Sequence, residues 1–533
     1  MVEHRINFTF FSVGGNSDSR LSNRSVGKRS SLLQKICKHI YIFHHKKALR
    51  CKMAYSSLRD FVKALDRAGE LKHIKTQVSP DLEISEITDR ISKTGGPALL
   101  FENVEGSEMP LLINTYGSYT RMAMALGVDD LSRIAYEIEG MIKIGPPESL
   151  LDKVKILRIL SQLTNFPPKT VKRGASQEIV LTGEDASLDR LPLIKCWPMD
   201  ADKYITLPQV YTHSLNTGQR NVGTYRLQKL NPYALAMHWQ IHHDGAAHHR
   251  EYKQAGKQMP VAIAIGGDPV MSYIGTAPLP SGIDELLFAG FLRKSNVEMV
   301  AAKTIDMMVP ANADIVIEGF IEPDETCIEG PFGDHTGFYS MPDEYPVFRI
   351  SAITHRKDPI YQTIIVGKPP MEDCYMGKAT ERIFMPLIKT QLPELVDMNL
   401  PLFGVFHNFA LISIDKRYPF QAKKMMHSFW GLGQLMFSKF IIVVDKDVDV
   451  QNVEEVLFYV GSNVDPKRDV TIVEGPVDVL DHAAPLLGAG SKMGIDATTK
   501  WEEEGYHREW PPEIEMSEEI IELVNERWKK YGL

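Results

Sequence analysis

A chain of 533 residues exceeds what one hydrophobic core organises, so two to four domains are expected. Its 44% hydrophobic and 24% charged residues are ordinary for a water-soluble chain, and a net charge of -8 argues against a nucleic-acid binder. No apolar run approaches the ~18 residues that span a bilayer, and five scattered cysteines (Cys37, Cys51, Cys196, Cys327, Cys374) without a CxxC pair support neither a disulfide framework nor a zinc ribbon.

Residues 1–52 carry eleven Lys/Arg against two acids, Glu3 and Asp18. They read as a basic, disordered extension upstream of Met53; the alternative is an Arg/Ser-rich targeting presequence. Residues 53–170 read as a mixed α/β domain. Leu58, Phe61, Val62 and Leu65 mark one helix, capped at Ser56 or Ser57 and stopped at Gly69. Ile84, Ile87 and Ile91 mark a second, followed by short apolar runs at 98–101 and 111–113. Residues 171–358 are dominated by short strand-like runs, the pattern of a barrel or sandwich, with one helix at 283–292. Residues 359–500 alternate strands and helices, beginning with a strand at 360–366, as in an α/β layered domain. Residues 501–533 form a charged tail and a helix at 517–530, striped by Ile520, Ile521, Val524 and Trp528.

The segment Glu329-Gly330-Pro331-Phe332-Gly333-Asp334-His335-Thr336-Gly337 follows the alternating run 315–321. Its Gly and Pro residues exclude a helix, so Glu329 and Asp334 belong to a loop just past a strand end. Two close carboxylates make an acid/base pair when one pKa is raised. Read without context, the segment is an acidic surface turn. Asn221-Val222-Gly223-Thr224-Tyr225-Arg226 offers oxygen ligands and a guanidinium fork, but Asn221 and Arg226 face opposite sides of a strand unless Gly223 permits a bulge. Five histidines fall between His238 and His249, where imidazole suits transition metals; His248 and His249 read as a polar surface turn. Glu285 alone reads as solvent-exposed. Gly488-Ala489-Gly490-Ser491-Lys492-Met493-Gly494 is glycine-rich but lacks phosphate-loop spacing, and no GxSxG elbow is present.

Taken together, these stretches resemble the UbiD-like carboxy-lyase family, closest to its 4-hydroxy-3-polyprenylbenzoate decarboxylase branch. The resemblance runs from about Met53 to the C-terminus. It is carried by Leu58-Arg59-Asp60-Phe61, Gly69-Glu70-Leu71-Lys72, Gly95-Gly96-Pro97-Ala98-Leu99-Leu100-Phe101-Glu102-Asn103, the Glu329–Gly337 segment and Gly490-Ser491-Lys492-Met493-Gly494-Ile495-Asp496-Ala497-Thr498. It implies a central split β-barrel domain binding prenylated FMN and a C-terminal α/β oligomerisation domain. By motif position, Asn221, His242 and Glu285 would hold a divalent metal, usually Mn²⁺, with K⁺ a further candidate. Arg226, Glu329 and Asp334 would be catalytic. Thr224, Tyr225, Arg226, His238, Trp239, Gln240, His243 and Asp244 would line the cofactor. Many relatives carry Arg at the position of His238 and Arg-Gly at His243-Asp244. Asp334 stands where the cinnamic-acid-type branch has glutamate, which favours the phenolic branch.

The implied activity is non-oxidative decarboxylation of a 4-hydroxy-3-polyprenylbenzoate-type acid in ubiquinone or menaquinone synthesis. A small phenolic or heteroaromatic acid and a naphthoate precursor are the alternatives. A non-catalytic flavin-binding or assembly subunit is disfavoured by the joint presence of Arg226, Glu329 and Asp334. A homo-oligomer (dimer or hexamer) is expected, with a flavin prenyltransferase as cofactor supplier. The expected location is the cytoplasm, peripheral to the membrane for a polyprenyl substrate.

Overall fold

The computed structural model describes residues 55–142, 166–240, 243–279 and 283–532. The expectations for residues 1–52 and for His242 lie outside them.

In the N-terminal part, Leu58–Ala68 forms an amphipathic helix that buries Leu58, Phe61, Val62 and Leu65. Ser57 caps it by accepting from the Asp60 N–H, and Gly69, at φ +75°, ends it in the left-handed conformation that glycine adopts without a Cβ clash. Strands Leu71–Ile74, Ala98–Phe101 and Leu111–Ile113 make three quarters of a mixed sheet. The fourth strand, Tyr361–Gln362, pairs in parallel with Leu111–Leu112. The apolar run at 360–366 therefore does not open the C-terminal alternation. It returns to the N-terminal sheet, where Tyr361 is wholly buried.

A nine-stranded antiparallel sheet forms the centre. Its path runs through Tyr204–Ile205, Leu227–Asn231, Ala234–Met237, Asp343–His355, Ile315–Glu329, Met259–Ile265, Gln209–His213 and Arg220–Gly223, with Ile179–Thr182 also on Asp343–His355. The path ends at Tyr204–Ile205 and Arg220–Gly223 and does not close into a barrel. The two long strands pair down to Glu329↔Asp343, with register shifts at Glu318/Gly319 and Ile321/Thr326. These bulges let the strand continue beyond Ile321, the expected end, and carry Glu329 to its tip. Histidines 248 and 249 are not in a surface turn. They lie on the helix Asp244–Gln254, where buried His248 bonds Thr212 Oγ1 through Nδ1 at 2.9 Å.

The C-terminal part is a five-stranded sheet in the order Leu395–Asn399, Phe409–Ile414, Phe440–Asp445, Ala489–Asp496, Val470–Pro476. Its central pairs are parallel. Ala410, Ile412, Ile441 and Val443 face one apolar cluster, while Leu411, Ile442 and Val444 face another. Burial on both faces explains why these strands are continuously apolar. The glycine-rich stretch at 488–494 enters this sheet as a strand; a Cβ on Gly494 would lie 2.4 Å from Met426 Sδ. The last helix is Glu518–Arg527, followed by a tight turn at Trp528–Tyr531. Its Ile520, Ile521 and Trp528 are exposed. Among the described residues, no helix is long and apolar enough to cross a membrane.

Candidate active site

The expected acidic loop is a tight hairpin whose glycines each answer a local demand. Gly330 sits at φ +88° and gives its N–H to Gln228 Oε1 at 2.8 Å. Phe332–Gly333 pairs with Tyr339–Ser340. The Gly333 N–H donates to Asp200 Oδ1 at 2.7 Å, and a Cβ there would lie 2.2 Å from Trp197 Cδ1. Glu329 thus ends a strand, and Asp334 stands four residues beyond the turn-forming glycine.

Between the two carboxylates lies Arg226. Its Nε and Nη2 donate to Glu329 Oε1 and Oε2, each at 2.9 Å, in the bidentate fork geometry of guanidinium and carboxylate. Nη1 donates to Asp334 Oδ2, Nη2 also reaches Ser340 Oγ at 3.0 Å, and the guanidinium carbon stands 4.9 Å from the Phe332 ring centroid. The side chains of Arg226 and Glu329 are 8% and 0% exposed. Arg226 and Asn221 are not on one strand. The chain leaves the sheet after Gly223, Thr224 N–H turns to Gly275 O at 3.0 Å, and the next strand starts at Leu227. That break lets Asn221 and Arg226 serve different places without a bulge.

The acids are not the raised-pKa pair expected from their proximity. Burial pushes Glu329 upward, but His238 and Arg226 outweigh it and hold it at about 2. Burial likewise opposes ionisation of Asp334, yet Arg226 and His335 hold it far below the usual carboxylate range. A cation placed between two carboxylates removes their mutual repulsion and replaces it with attraction.

Three further groups join this network. His238 donates from Nδ1 to Glu329 Oε2 at 3.0 Å, because an ionised carboxylate can only accept. Here His238 braces an acid; it was expected against the cofactor. His335 meets Asp334 Oδ1 twice, from its backbone N–H at 2.7 Å and from Nδ1 at 2.8 Å. Its other ring nitrogen, Nε2, faces His407 Nε2 at 2.9 Å. Sequence reasoning passed over His335 and His407. The first was visible only as a neighbour of Asp334, and nothing local marks the second, 72 residues away.

Asn221 and Glu285 fall together near Tyr225. Asn221 Nδ2 donates to the Tyr225 hydroxyl at 3.3 Å, and Glu285 takes the N–H of Val222. Glu285 is not solvent-exposed. It opens the helix Glu285–Arg293 at 9% exposure, and its Oε2 has no hydrogen-bond partner. Burial raises its pKa to about 7. A buried carboxylate oxygen without a partner beside an amide oxygen is a donor set that suits a hard divalent cation. Thr224 Oγ1 and Trp239 Nε1 are likewise buried without hydrogen-bond partners, and both belong to the expected cofactor lining. A Cβ on Gly245 would lie 3.1 Å from both Trp239 Nε1 and the Tyr225 hydroxyl. Gln240 accepts the N–H of His243 at 3.0 Å through its carbonyl, and Asp244, exposed, starts the following helix.

Comparisons with known proteins bear on this arrangement. Three family models match: the 3-octaprenyl-4-hydroxybenzoate carboxy-lyase N-terminal domain over residues 62–138, the Rift-related domain over 169–369 and the C-terminal domain over 374–497. An uncharacterized protein of Aquifex aeolicus (strain VF5) is 52% identical over 482 residues, covering 90% of this chain and 99% of its own. The vanillic acid decarboxylase of Sedimentibacter hydroxybenzoicus in closed form is 29% identical and superposes with a TM-score of 0.78, over 89% of this chain and 99% of its own. The UbiD-class enzyme HmfF of Pelotomaculum thermopropionicum, in complex with FMN, is 29% identical with a TM-score of 0.72, over 86% of this chain and 97% of its own. An evolved dimeric form of it, with prFMN, is 28% identical with the same TM-score, over 86% and 97%.

Proposed function

Because the chain belongs to the UbiD family of carboxy-lyases, we propose that it removes CO₂ from a 4-hydroxybenzoate-type aromatic acid, using prenylated FMN. The observation that carries this reading is Arg226. It is a buried guanidinium with one arm locked on Glu329 and the other on Asp334. Glu329 fixes the plane of the fork by two bonds, which leaves Nη1, the arm on Asp334, to exchange its partner for a substrate carboxylate. Arg226 therefore orients the substrate, Glu329 and His238 hold Arg226, and Asp334 delivers the proton to the ring carbon vacated by CO₂.

Loss of CO₂ leaves an electron pair on an aromatic carbon, and bound prenylated FMN would supply the sink for it. Thr224 and Trp239 offer polar atoms toward that cofactor, with Tyr225, Gln240, His243 and Asp244 around it in a split-barrel reading of the central sheet. Asn221 and Glu285, with His242, would hold a divalent cation such as Mn²⁺.

A polyprenyl tail on the substrate ring, in quinone synthesis, is the leading reading, after the descriptions of the three matching family models. A small phenolic acid is the second reading, favoured by the likeness to a vanillic acid decarboxylase over 89% of the chain. The test uses enzyme co-produced with a flavin prenyltransferase and pairs of 4-hydroxybenzoates with and without a 3-prenyl chain, following CO₂ release. Selective turnover of the prenylated acids establishes the first reading, selective turnover of the bare acids the second, and turnover of neither class refutes both. The phenol product incubated in D₂O should exchange the proton at the vacated position in wild type. In Asp334→Asn that exchange should stop; if it persists there and stops in Glu329→Gln, Glu329 is the donor.

A further inference from the structure

We propose that His335 is the proton reservoir of this site: its Nδ1–H reprotonates Asp334 in each turnover, while His407, accepting from Nε2–H, holds the ring in that orientation. This rests on the decarboxylase reading, in which every CO₂ lost requires one proton at the ring carbon. The arrangement around Arg226 leaves that proton unaccounted for. Glu329 and Asp334 are both bound to the guanidinium as carboxylates, which accept hydrogen bonds and carry no proton of their own. Asp334 can pass a proton on only if another group supplies it.

His335 is built for that supply. It is the next residue in the chain, and its backbone N–H and Nδ1 both converge on Asp334 Oδ1, at 2.7 and 2.8 Å. The ring stacks on Phe406, with centroids 5.1 Å apart and planes at 25°. Its far nitrogen meets His407 Nε2 at 2.9 Å. A ring gripped at both nitrogens and on one face cannot turn Nδ1 away from Asp334.

The surrounding charges favour the protonated ring. Asp334 faces it from its own turn, Asp373 from the start of the helix Glu372–Gln391, and Asp478 from beyond the strand Val470–Pro476. A carboxylate oxygen of Asp478 and a nitrogen of each histidine all lie within 4.8 Å of one another. Burial works against the charge, but the hydrogen bond to Asp334 and these acids raise His335 to about 9. Burial and the His335 charge push His407 down to about 4, so His407 is the neutral acceptor of the pair.

The transfers balance. As Asp334 O–H breaks, C–H forms at the ring carbon. As His335 Nδ1–H breaks, Asp334 O–H forms. The neutral imidazole keeps its Nε2–H and takes up one solvent proton before the next turnover. One solvent proton is consumed per CO₂ released, and nothing is oxidised. When the substrate carboxylate takes Nη1 of Arg226, Asp334 loses its strongest charge partner, and its affinity for the His335 proton rises.

The decisive measurement needs no turnover. Flavin-free full-length protein with ¹⁵N-labelled histidine is examined by long-range ¹H–¹⁵N correlation across pH 6–10. One histidine, identified by its disappearance in His335→Gln, should show the doubly protonated pattern at neutral pH and lose it only near pH 9. In Asp334→Asn it should lose that pattern at lower pH. A neutral His335 ring at pH 7, or a ring nitrogen occupied by a metal ion, overturns the proposal whether or not the substrate reading holds. In loaded enzyme, His335→Gln should lower kcat about 10²-fold with little change in KM, and added imidazole should restore part of it. His407→Ala should lower kcat, and His407→Gln, which keeps an acceptor, should recover most of it. Wild-type kcat in His335→Gln also overturns the proposal.

Discussion

Replacing Arg226 by methionine removes the cation between two buried carboxylates and leaves a side chain of similar length. Glu329, with no exposed side-chain surface, then keeps His238 and the Tyr204 hydroxyl as partners. Leaving one partner of a buried ion pair uncompensated costs about 3–5 kcal/mol. The carboxyl itself leads to a similar figure. Held at about 2 against an ordinary 4.5, at about 1.4 kcal/mol per decade it contributes about 3 kcal/mol at neutral pH. Because the folded value is depressed, that stability is present above pH 4.5 and lost as pH falls from 4.5 toward 2. In Arg226→Met the guanidinium is gone and only part of the opposition to burial remains, so the folded value of Glu329 rises. The variant is therefore penalised most at neutral pH and relieved by acid. Urea unfolding of flavin-free protein at pH 7.5 and pH 3, followed by tryptophan fluorescence, should show a deficit of about 3 kcal/mol that shrinks by about half at the lower pH. A deficit that is the same at both pH values, or one below about 1 kcal/mol at pH 7.5, refutes the electrostatic account of the Arg226–Glu329 pair.

Three other outcomes are expected. Glu285→Ala should release Mn²⁺ by elemental analysis of the purified protein while His248→Ala, whose ring is engaged with Thr212, retains it; the reverse result places the metal elsewhere. Gly330→Ala forces a side chain into φ +88°, with Pro342 Cα 3.4 Å from the new Cβ, and should lower stability by about 1–2 kcal/mol. An unchanged melting temperature would show that the turn relaxes freely. Ile520→Glu together with Ile521→Glu charges the exposed stripe of the last helix and should shift an oligomer toward monomer in light scattering. An unaltered mass would put the interface on another surface.

Much of this site was legible in one dimension because its chemistry is local. The Glu329–Gly337 segment contains its own turn residues, and glycine and proline at those positions exclude helix without reference to the rest of the chain. The strands Phe409–Ile414 and Phe440–Asp445 were readable because burial on both faces demands an unbroken apolar run. Other features depended on which distant segment arrives. An apolar run at 360–366 is compatible with either neighbouring sheet, and only the packed structure assigns Tyr361 to Leu111. Glu285 reads as exposed by type, yet it is buried and takes the N–H of Val222 from the strand Arg220–Gly223. The proximity of Glu329 and Asp334 in sequence suggested an acid/base pair with one raised pKa, but Arg226, 103 and 108 residues upstream, ionises both instead. His407 carries no local mark at all; its role exists because the C-terminal sheet sets its ring against His335. Periodicity and turn chemistry act over a few residues and are written in the sequence, whereas pKa values, partner choice and burial are set by charges and surfaces that meet only once the chain has folded.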